Sequence, residues 1–317
     1  MMIDFNSIKP LFIEDFRGNI KYDESMKLRT TMRVGGTAPI LIEPFDEESL
    51  RNAMLALKKL KVPRFLLGGG SNTILPDQID FAIISTRKLA AQPQLENCGE
   101  TTTLTLGSGL LWSQACNFCK ENGIALFAPF SGLPGTVGGA LFMNATCFGF
   151  SACDALLTVR YLSLPSMEFC EYKKSAADFS YKKSPFQDGE KIILSADFSV
   201  TQEKEKSYSE IKSAYDKYLR ERASKNHFAA PSAGSVFKNI PEKSLIAGKI
   251  IDECGLKGTG SGGAKIADWH GNFIINEGNA TSKDIQDLVN LIKSEVKAKK
   301  NIDLECEIIF ADQKITA

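Results

Sequence analysis

Residues 64–72 read RFLLGGGSN, a short apolar run that passes without a break into three glycines, a serine and an asparagine. RFLL has the length and composition of a buried strand, so the glycines stand at a strand end. Glycine permits positive φ and close backbone approach, which lets successive N–H groups converge on a phosphate. A second segment of this kind, SGLPGTVGGALFMNA from Ser131 to Ala145, sets four glycines and a proline around a helix entry. Two such loops in one unit suit a cofactor with a pyrophosphate and a long body, and a flavin nucleotide fits better than a small ligand.

Outward from residue 64 the chain alternates strands and helices. DEESLRNAMLALKKLKVP (46–63) predicts a helix capped by Asp46, with Leu50, Met54, Leu57 and Leu60 turned inward and Pro63 beyond its end. FAIIS and TTLTLG predict strands, and a helix opens near Trp112 and stops at Gly123. Its one CxxC, Cys116 and Cys119, falls on the apolar stripe of Leu111, Trp112 and Ala115. These thiols read as core residues: with His227 and His270 as the only histidines and no second cysteine pair, no metal site is expected. TVRYLSL and IILSADFSV predict further strands between Leu156 and Val200. QEKEKSYSEIKSAYDKYLRERASKN predicts a charged connecting helix, leading to a boundary around residues 205–225. The last hundred residues read as strand NFIIN, helix TSKDIQDLVNLIKSEVKAKK and strand IDLECEIIF, the helix carrying Ile285, Leu288, Val289, Ile292 and Val296 on one face. The fold class is α+β (mixed α/β), in two to three domains.

With 43% hydrophobic and 24% charged residues, the 317-residue chain has the balance of a globular protein. Basic and acidic side chains cancel at 38 each, so no long-range field favours nucleic acid or an anionic membrane. No run of 18 apolar residues exists and the N-terminus MMIDFNSIKP lacks the plan of a signal peptide, so a cytoplasmic location is expected. GTGSGG (258–263) formally fits the dinucleotide fingerprint but lacks a strand before it and a helix after it, and reads as a loop. No P-loop motif occurs.

Eight ordered motifs resemble one family, the UDP-N-acetylenolpyruvoylglucosamine reductases (UDP-N-acetylmuramate dehydrogenases). They are TTMRVGGTA, LLGGGSNTIL, GLPGTVGGALFMNA, FSYKKSPFQ, PSAGSVFKN, AGKIIDECGLKG, HGNFIIN and LECEIIF. The resemblance implies an FAD-binding region in two parts of the vanillyl-alcohol-oxidase type, residues 1–73 and 74–222, and a substrate domain over 223–310. The extreme C-terminus, 311–317, is expected to return to the first part. It implies that NADPH, as co-substrate, reduces FAD, and that the flavin passes hydride to the enolpyruvyl double bond of the UDP-sugar. The product would be UDP-N-acetylmuramate, a peptidoglycan precursor. A cytoplasmic monomer serving cell wall biogenesis, cell shape and cell division is expected, with no nucleic-acid or membrane partner. The interval between Lys182 and Ser235 resembles the compact subtype without the extra substrate loop.

Hydride addition leaves negative charge beside the substrate carboxylate, so the site needs a fixed cation or donor there and an acid for the neighbouring carbon. The resemblance makes Ser235 the proton donor, Glu307 the catalytic glutamate, and Lys182 the cation in a position where the family usually has arginine. Lysine keeps the charge but loses the bidentate fork, and Lys183 could share the role. Tyr181, Lys225 and Asn239 are implied for substrate. For FAD it implies Arg33, Gly68, Gly69, Gly70, Ser71, Asn72, Gly132, Gly135, Thr136, Gly138, Gly139 and Asn144. His270 matches a position with a structural hydrogen-bonding role. Thr146, Phe148 and Ile309 depart from the family pattern. Two alternatives stay open: an FAD oxidoreductase of the same fold with another substrate, and a non-catalytic flavin- or UDP-sugar-binding relative.

Overall fold

The computed structural model describes residues 16–98 and 101–315; the N-terminal MMIDFNSIKP lies outside them. Strands β1 (Gly18–Ser25) and β2 (Thr37–Pro44) form an antiparallel pair. Helix α1 (Glu47–Lys59) comes next, its Asp46 side chain accepting from the Ser49 N–H at 2.8 Å, which satisfies a free donor of the first turn. Leu50, Met54 and Leu57 are buried, but Leu60 is not: the helix ends at Lys59, and Leu60, one residue beyond it, swings outward. Then come β3 (Arg64–Leu67), β4 (Thr73–Ile74) and β5 (Ala82–Ser85). β5 lies in the middle of the first sheet, in the order β1-β2-β5-β3. This sheet therefore runs on to Ser85, past residue 73, where the resemblance placed the end of the first part.

The second sheet is antiparallel, in the order β11-β10-β12-β7-β6. It comprises β6 (Gln94–Cys98), β7 (Thr101–Gly107), β10 (Leu156–Ser163), β11 (Phe169–Lys173) and β12 (Lys191–Val200). Packed with it are α2 (Trp112–Glu121), α3 (Val137–Phe142), the small hairpin of β8 (Thr146–Cys147) and β9 (Phe150–Ser151), and α4 (Tyr208–Ser224). Trp112, Phe127, Phe130 and Phe198 fill this core with ring centroids 4.6–6.3 Å apart, offset and edge contacts that aromatic quadrupoles favour. Cys116 and Cys119 belong to the same core as free thiols, and burial pushes the Cys116 thiol up to about 12. Leu162, Ile192 and Leu194 extend from this sheet onto the face of β2, β5 and α1, joining the two parts in one apolar cluster.

The third part carries β13 (Ser232–Ser235), α5 (Ala247–Glu253), β14 (Gly260–Ser261), β15 (Ala264–Ile266), β16 (Phe273–Asn276) and α6 (Ser282–Lys300), with sheet order β13-β16-β15-β14. GTGSGG proves to be the β14–β15 hairpin. Thr281 and Asp284 cap α6 reciprocally, and its five apolar residues are all buried. IDLECEIIF departs from expectation: only β17 (Ile309–Phe310) is regular, paired in parallel with β4. The preceding residues take an irregular path because their backbone groups bond to two different partners, residues 236–238 and Asn72. Beyond β17, Ala311 is buried against Leu41, Phe65, Leu67 and Phe81.

Candidate functional site

The two glycine loops meet in space. A Cβ added to Gly69 would stand 2.5 Å from the Gly135 Cα, and the Ser71 hydroxyl donates to the Pro134 carbonyl at 3.2 Å. Gly69 is thus needed for close packing on the Gly135 backbone, and Gly135 is needed for its φ of 103° and the nearby Ser71 side chain. Thr136 caps α3, its Oγ1 accepting from the Gly139 N–H. The TTMRVGG segment closes the same corner: Thr31 N–H donates to the Gly70 carbonyl at 3.0 Å and Thr31 Oγ1 donates to the Ser232 carbonyl at 2.7 Å. Asn276 supports it from β16, its Nδ2 donating to the carbonyls of Met32 and Arg33.

These loops line a cavity of about 1680 Å³, larger than the roughly 300–1,000 Å³ of ordinary small-ligand pockets. Arg33, Gly68, Gly69, Gly70, Ser71, Asn72, Gly132, Gly135, Thr136, Gly138 and Gly139 all face it, as do Lys182, Ser235 and Glu307. Substitution of Gly69 by Ala must separate the loops, because the obstacle is backbone. We expect Gly69→Ala to weaken flavin binding at least tenfold, by fluorescence titration, with a smaller loss of stability; unchanged affinity would show that the loop contact is dispensable.

Ser235 ends β13 beside a bulge. β13 spends three steps between Ser232 and Ser235 where β16 spends two between Ile275 and Phe273, and Gly234 sits at φ 74°. The extra residue re-aims the side chain of Ser235. The chain then runs beside residues 305–307: Lys238 N–H donates to the Glu305 carbonyl and Glu307 N–H to the Val236 carbonyl, at 2.9 and 2.8 Å. Asn72 grips the same residue from the other side. Its Nδ2 donates to the Glu307 carbonyl at 2.9 Å, and its own carbonyl accepts from Ile309 N–H at 2.9 Å. Glu307 is thus held between the glycine loop and the serine strand.

Lys182 reaches Glu307 across the cavity, Nζ to Oε1 at 2.6 Å, with the side chains 12% and 14% exposed. It stands at φ 57° in the tight turn from Ser180 to Lys183, a conformation that costs a non-glycine residue roughly 1 kcal/mol. Three bonds hold the turn and the residues after it to the end of α3, and a fourth braces it from within. Asn144 Nδ2 donates to Ser180, Ser184 and Gln187 donate to the Phe142 carbonyl, and Gln187 also donates to the Lys182 carbonyl. Glu305, two residues back, is largely exposed and pairs with Lys238 at 2.5 Å.

Four of the residues expected at the site do not line the cavity. Asn144 is buried, its amide engaged with the Ser180 carbonyl and the Cys153 N–H; it orients the lysine turn because that turn's backbone needs the donor. Lys225 caps α4, and its ammonium bonds to Glu221 at 2.7 Å. Tyr181 and Asn239 meet each other, the Asn239 N–H donating to the tyrosine hydroxyl at 3.3 Å, each one residue along from a lining lysine. His270 Nδ1 accepts from the Asn272 N–H. Burial pushes His227, which faces the cavity, down to about 4, helped by the Arg222 cation. Arg222, Arg64 and Ser108 also line the cavity and did not stand out in the sequence. Arg222 donates to the Ser131 carbonyl at 2.8 Å and lies over the Phe148 ring at 5.2 Å. Arg64 and Ser108 are buried with donor atoms that no described residue satisfies, and of the residues in that state they are the two that line the cavity, where a polar ligand could meet them. A phosphate-bearing flavin nucleotide fits this lining.

Comparison with known proteins agrees with that chemistry. A family model described as FAD binding domain matches residues 38–165. A second, the C-terminal domain of UDP-N-acetylenolpyruvoylglucosamine reductase, matches residues 226–311. The chain is 38% identical to the UDP-N-acetylenolpyruvoylglucosamine reductase of Treponema denticola, over 95% of each protein. It is 36% identical to that of Clostridioides difficile, over 92% of each. The crystal structure of the reductase from Thermus caldophilus superposes with a TM-score of 0.74 at 28% identity, covering 93% of this chain and 99% of that one. The same enzyme family thus accounts for both ends of the sequence and for the cavity between them: this chain belongs to the UDP-N-acetylenolpyruvoylglucosamine reductases.

Proposed function

We propose that this protein is the FAD-dependent oxidoreductase that reduces UDP-N-acetylglucosamine enolpyruvate to UDP-N-acetylmuramate with NADPH, in peptidoglycan precursor synthesis. The observation that carries the reading is the convergence of Ser235, Glu307 and Lys182 on one cavity with both glycine loops. FAD, when bound, carries the electron pair from NADPH to the alkene. The residues that would hold it are Arg33, Gly68–Asn72, and the loop from Gly132 to Gly139, which offer backbone N–H groups and one guanidinium.

The remaining chemistry belongs to the chain. Hydride at the terminal alkene carbon leaves an enediolate-like centre, basic enough to take the proton of a serine hydroxyl. Ser235 is assigned as that donor, its direction set by the bulge at Gly234. Lys182 is assigned to the developing charge on the carboxylate side. Its pairing with Glu307 fixes the ammonium before substrate arrives, so no reorganisation is needed during the reaction. The pair is neutral overall, so a substrate carboxylate must share the ammonium with Glu307. Asn72 and Asn144 are positioning residues, holding Glu307 and the lysine turn. Tyr181 and Asn239 form a linked pair through which the UDP-sugar can be sensed beside the cavity.

We also take the chain as three units, residues 16–89 with 309–315, 94–224, and 226–308, from the sheets and cores above. We further propose a cytoplasmic monomer with a role in cell shape and division; its zero net charge offers no long-range attraction to nucleic acid or an anionic membrane. No helix among the described residues is long and apolar enough to cross a membrane.

The test is spectroscopic. Purified protein should show a flavin spectrum that NADPH bleaches and UDP-N-acetylglucosamine enolpyruvate restores without oxygen. Bleaching that this substrate does not reverse would sink the substrate assignment and leave a flavoprotein of another specificity.

A further inference from the structure

The lining of the cavity contains a charged group that no described residue balances. Arg64 opens β3 and is only 5% exposed. Its Nε and Nη1 are buried without a hydrogen-bond partner, and it forms no ion pair or cation–π contact among the described residues. The other buried arginine, Arg222, is satisfied by the Ser131 and Pro129 carbonyls. Removing a guanidinium from water without compensation is among the costlier acts in folding. Burial alone lowers the proton affinity of Arg64, and no described carboxylate offsets it. Such a group is tolerated where a ligand completes it.

Its place in the fold says which part of the ligand that is. Arg64 and Leu66 lie on one face of β3 and line the cavity together with Met54, Thr86 and Ile192. From Arg64 the strand rises about 10 Å to Leu67. It passes directly into Gly68–Gly70, and Asn72 then touches the Glu307 carbonyl. Followed along the chain and through this contact, the lining runs Arg64, glycine loop, Asn72, Glu307. A flavin dinucleotide held with its redox ring toward Ser235 and Glu307 and its diphosphate at the glycine loops would extend its adenosine toward Arg64.

We propose that Arg64 is a specificity-determining residue that donates to the adenosine diphosphate end of the bound flavin nucleotide and is electrostatically incomplete without it. The inference rests on the reading of this cavity as the FAD site. Phosphate oxygens, ribose hydroxyls and adenine ring nitrogens all accept from a guanidinium, and a neutral side chain of similar length cannot replace it.

The test uses apoprotein and two probes, FAD and ADP, with the variants Arg64→Met and Arg64→Lys. Flavin fluorescence titration should give a dissociation constant for FAD at least tenfold higher in Arg64→Met, with Arg64→Lys between it and wild type. The Arg64→Met apoprotein should melt at the wild-type temperature or above, because an uncompensated buried charge has been removed. ADP alone should raise the melting temperature of wild type and not that of Arg64→Met. FAD affinity within about twofold of wild type would overturn the proposal. So would an Arg64→Met apoprotein that melts several degrees lower, or ADP that stabilises both proteins equally or neither. Failure of wild-type apoprotein to bind FAD at all would instead remove the reading of the cavity itself.

Discussion

Replacing Ser235 by Ala is expected to leave bleaching of the flavin by NADPH at the wild-type rate and to slow reduction of the enolpyruvyl substrate about 10²–10⁴-fold, the usual share of a positioned acid. The two half-reactions separate because only the second delivers a proton to carbon. Ser235 Oγ makes no hydrogen bond to protein among the described residues, so its removal leaves no orphaned partner in the fold. Stability should change by less than about 1 kcal/mol, within the range of ordinary exposed substitutions. Stopped-flow absorbance reads both steps. Equal loss in the two, or no loss in the second, would remove Ser235 from the proton-donor role.

The second large effect concerns Lys182 and Glu307. Their 2.6 Å contact is mostly shielded, at 12% and 14% exposure. Breaking a fully buried pair from one side costs about 3–5 kcal/mol, largely through the charge left behind. With some solvent access, we expect about 1–3 kcal/mol of stability lost in Lys182→Met and a comparable loss in Glu307→Gln. The double variant should be nearer wild type in stability than the sum of the singles predicts, since no charge is stranded. Activity should not recover with it: turnover is expected to fall about 10²–10³-fold in Lys182→Met and to stay there in the double variant. Denaturant midpoints and NADPH oxidation rates together give the cycle. Additive stabilities would show that the pair is not coupled. Lys182→Arg should be tolerated, since the turn at φ 57° imposes the same backbone cost on either residue.

The parts of this molecule that sequence reading reaches are those determined by near neighbours. The Asp46 cap, the stripe on α6 and the passage of β3 into Gly68–Asn72 rest on contacts within a few residues. Leu60 shows the limit even there, since a one-residue difference in where α1 ends moves it from the core to solvent. The irregular course of residues 302–308 has another origin. LECEIIF alternates like a strand, but its backbone is divided between Val236 and Asn72, partners far away along the chain. The same long range hid the work of two asparagines. Asn72 and Asn144 sit in glycine-rich motifs and read as cofactor ligands, yet their side-chain amides donate to the carbonyls of Glu307 and Ser180. Glycine-rich spacing pointed to a phosphate cradle and was silent on the contact of Gly69 with Gly135, a matter of tertiary approach. Arg64 was invisible for a related reason: one arginine opening a strand looks like an edge charge until the strand is seen to be covered.

The reductase activity converts one sugar nucleotide into another. That conversion is read from the mass of the sugar nucleotide after incubation of flavin-loaded protein with NADPH and UDP-N-acetylglucosamine enolpyruvate. A product heavier by one hydride and one proton, identical to UDP-N-acetylmuramate and formed in step with NADPH loss, is the predicted result. Unchanged substrate, with NADPH consumed at the same rate whether or not substrate is present, would contradict it.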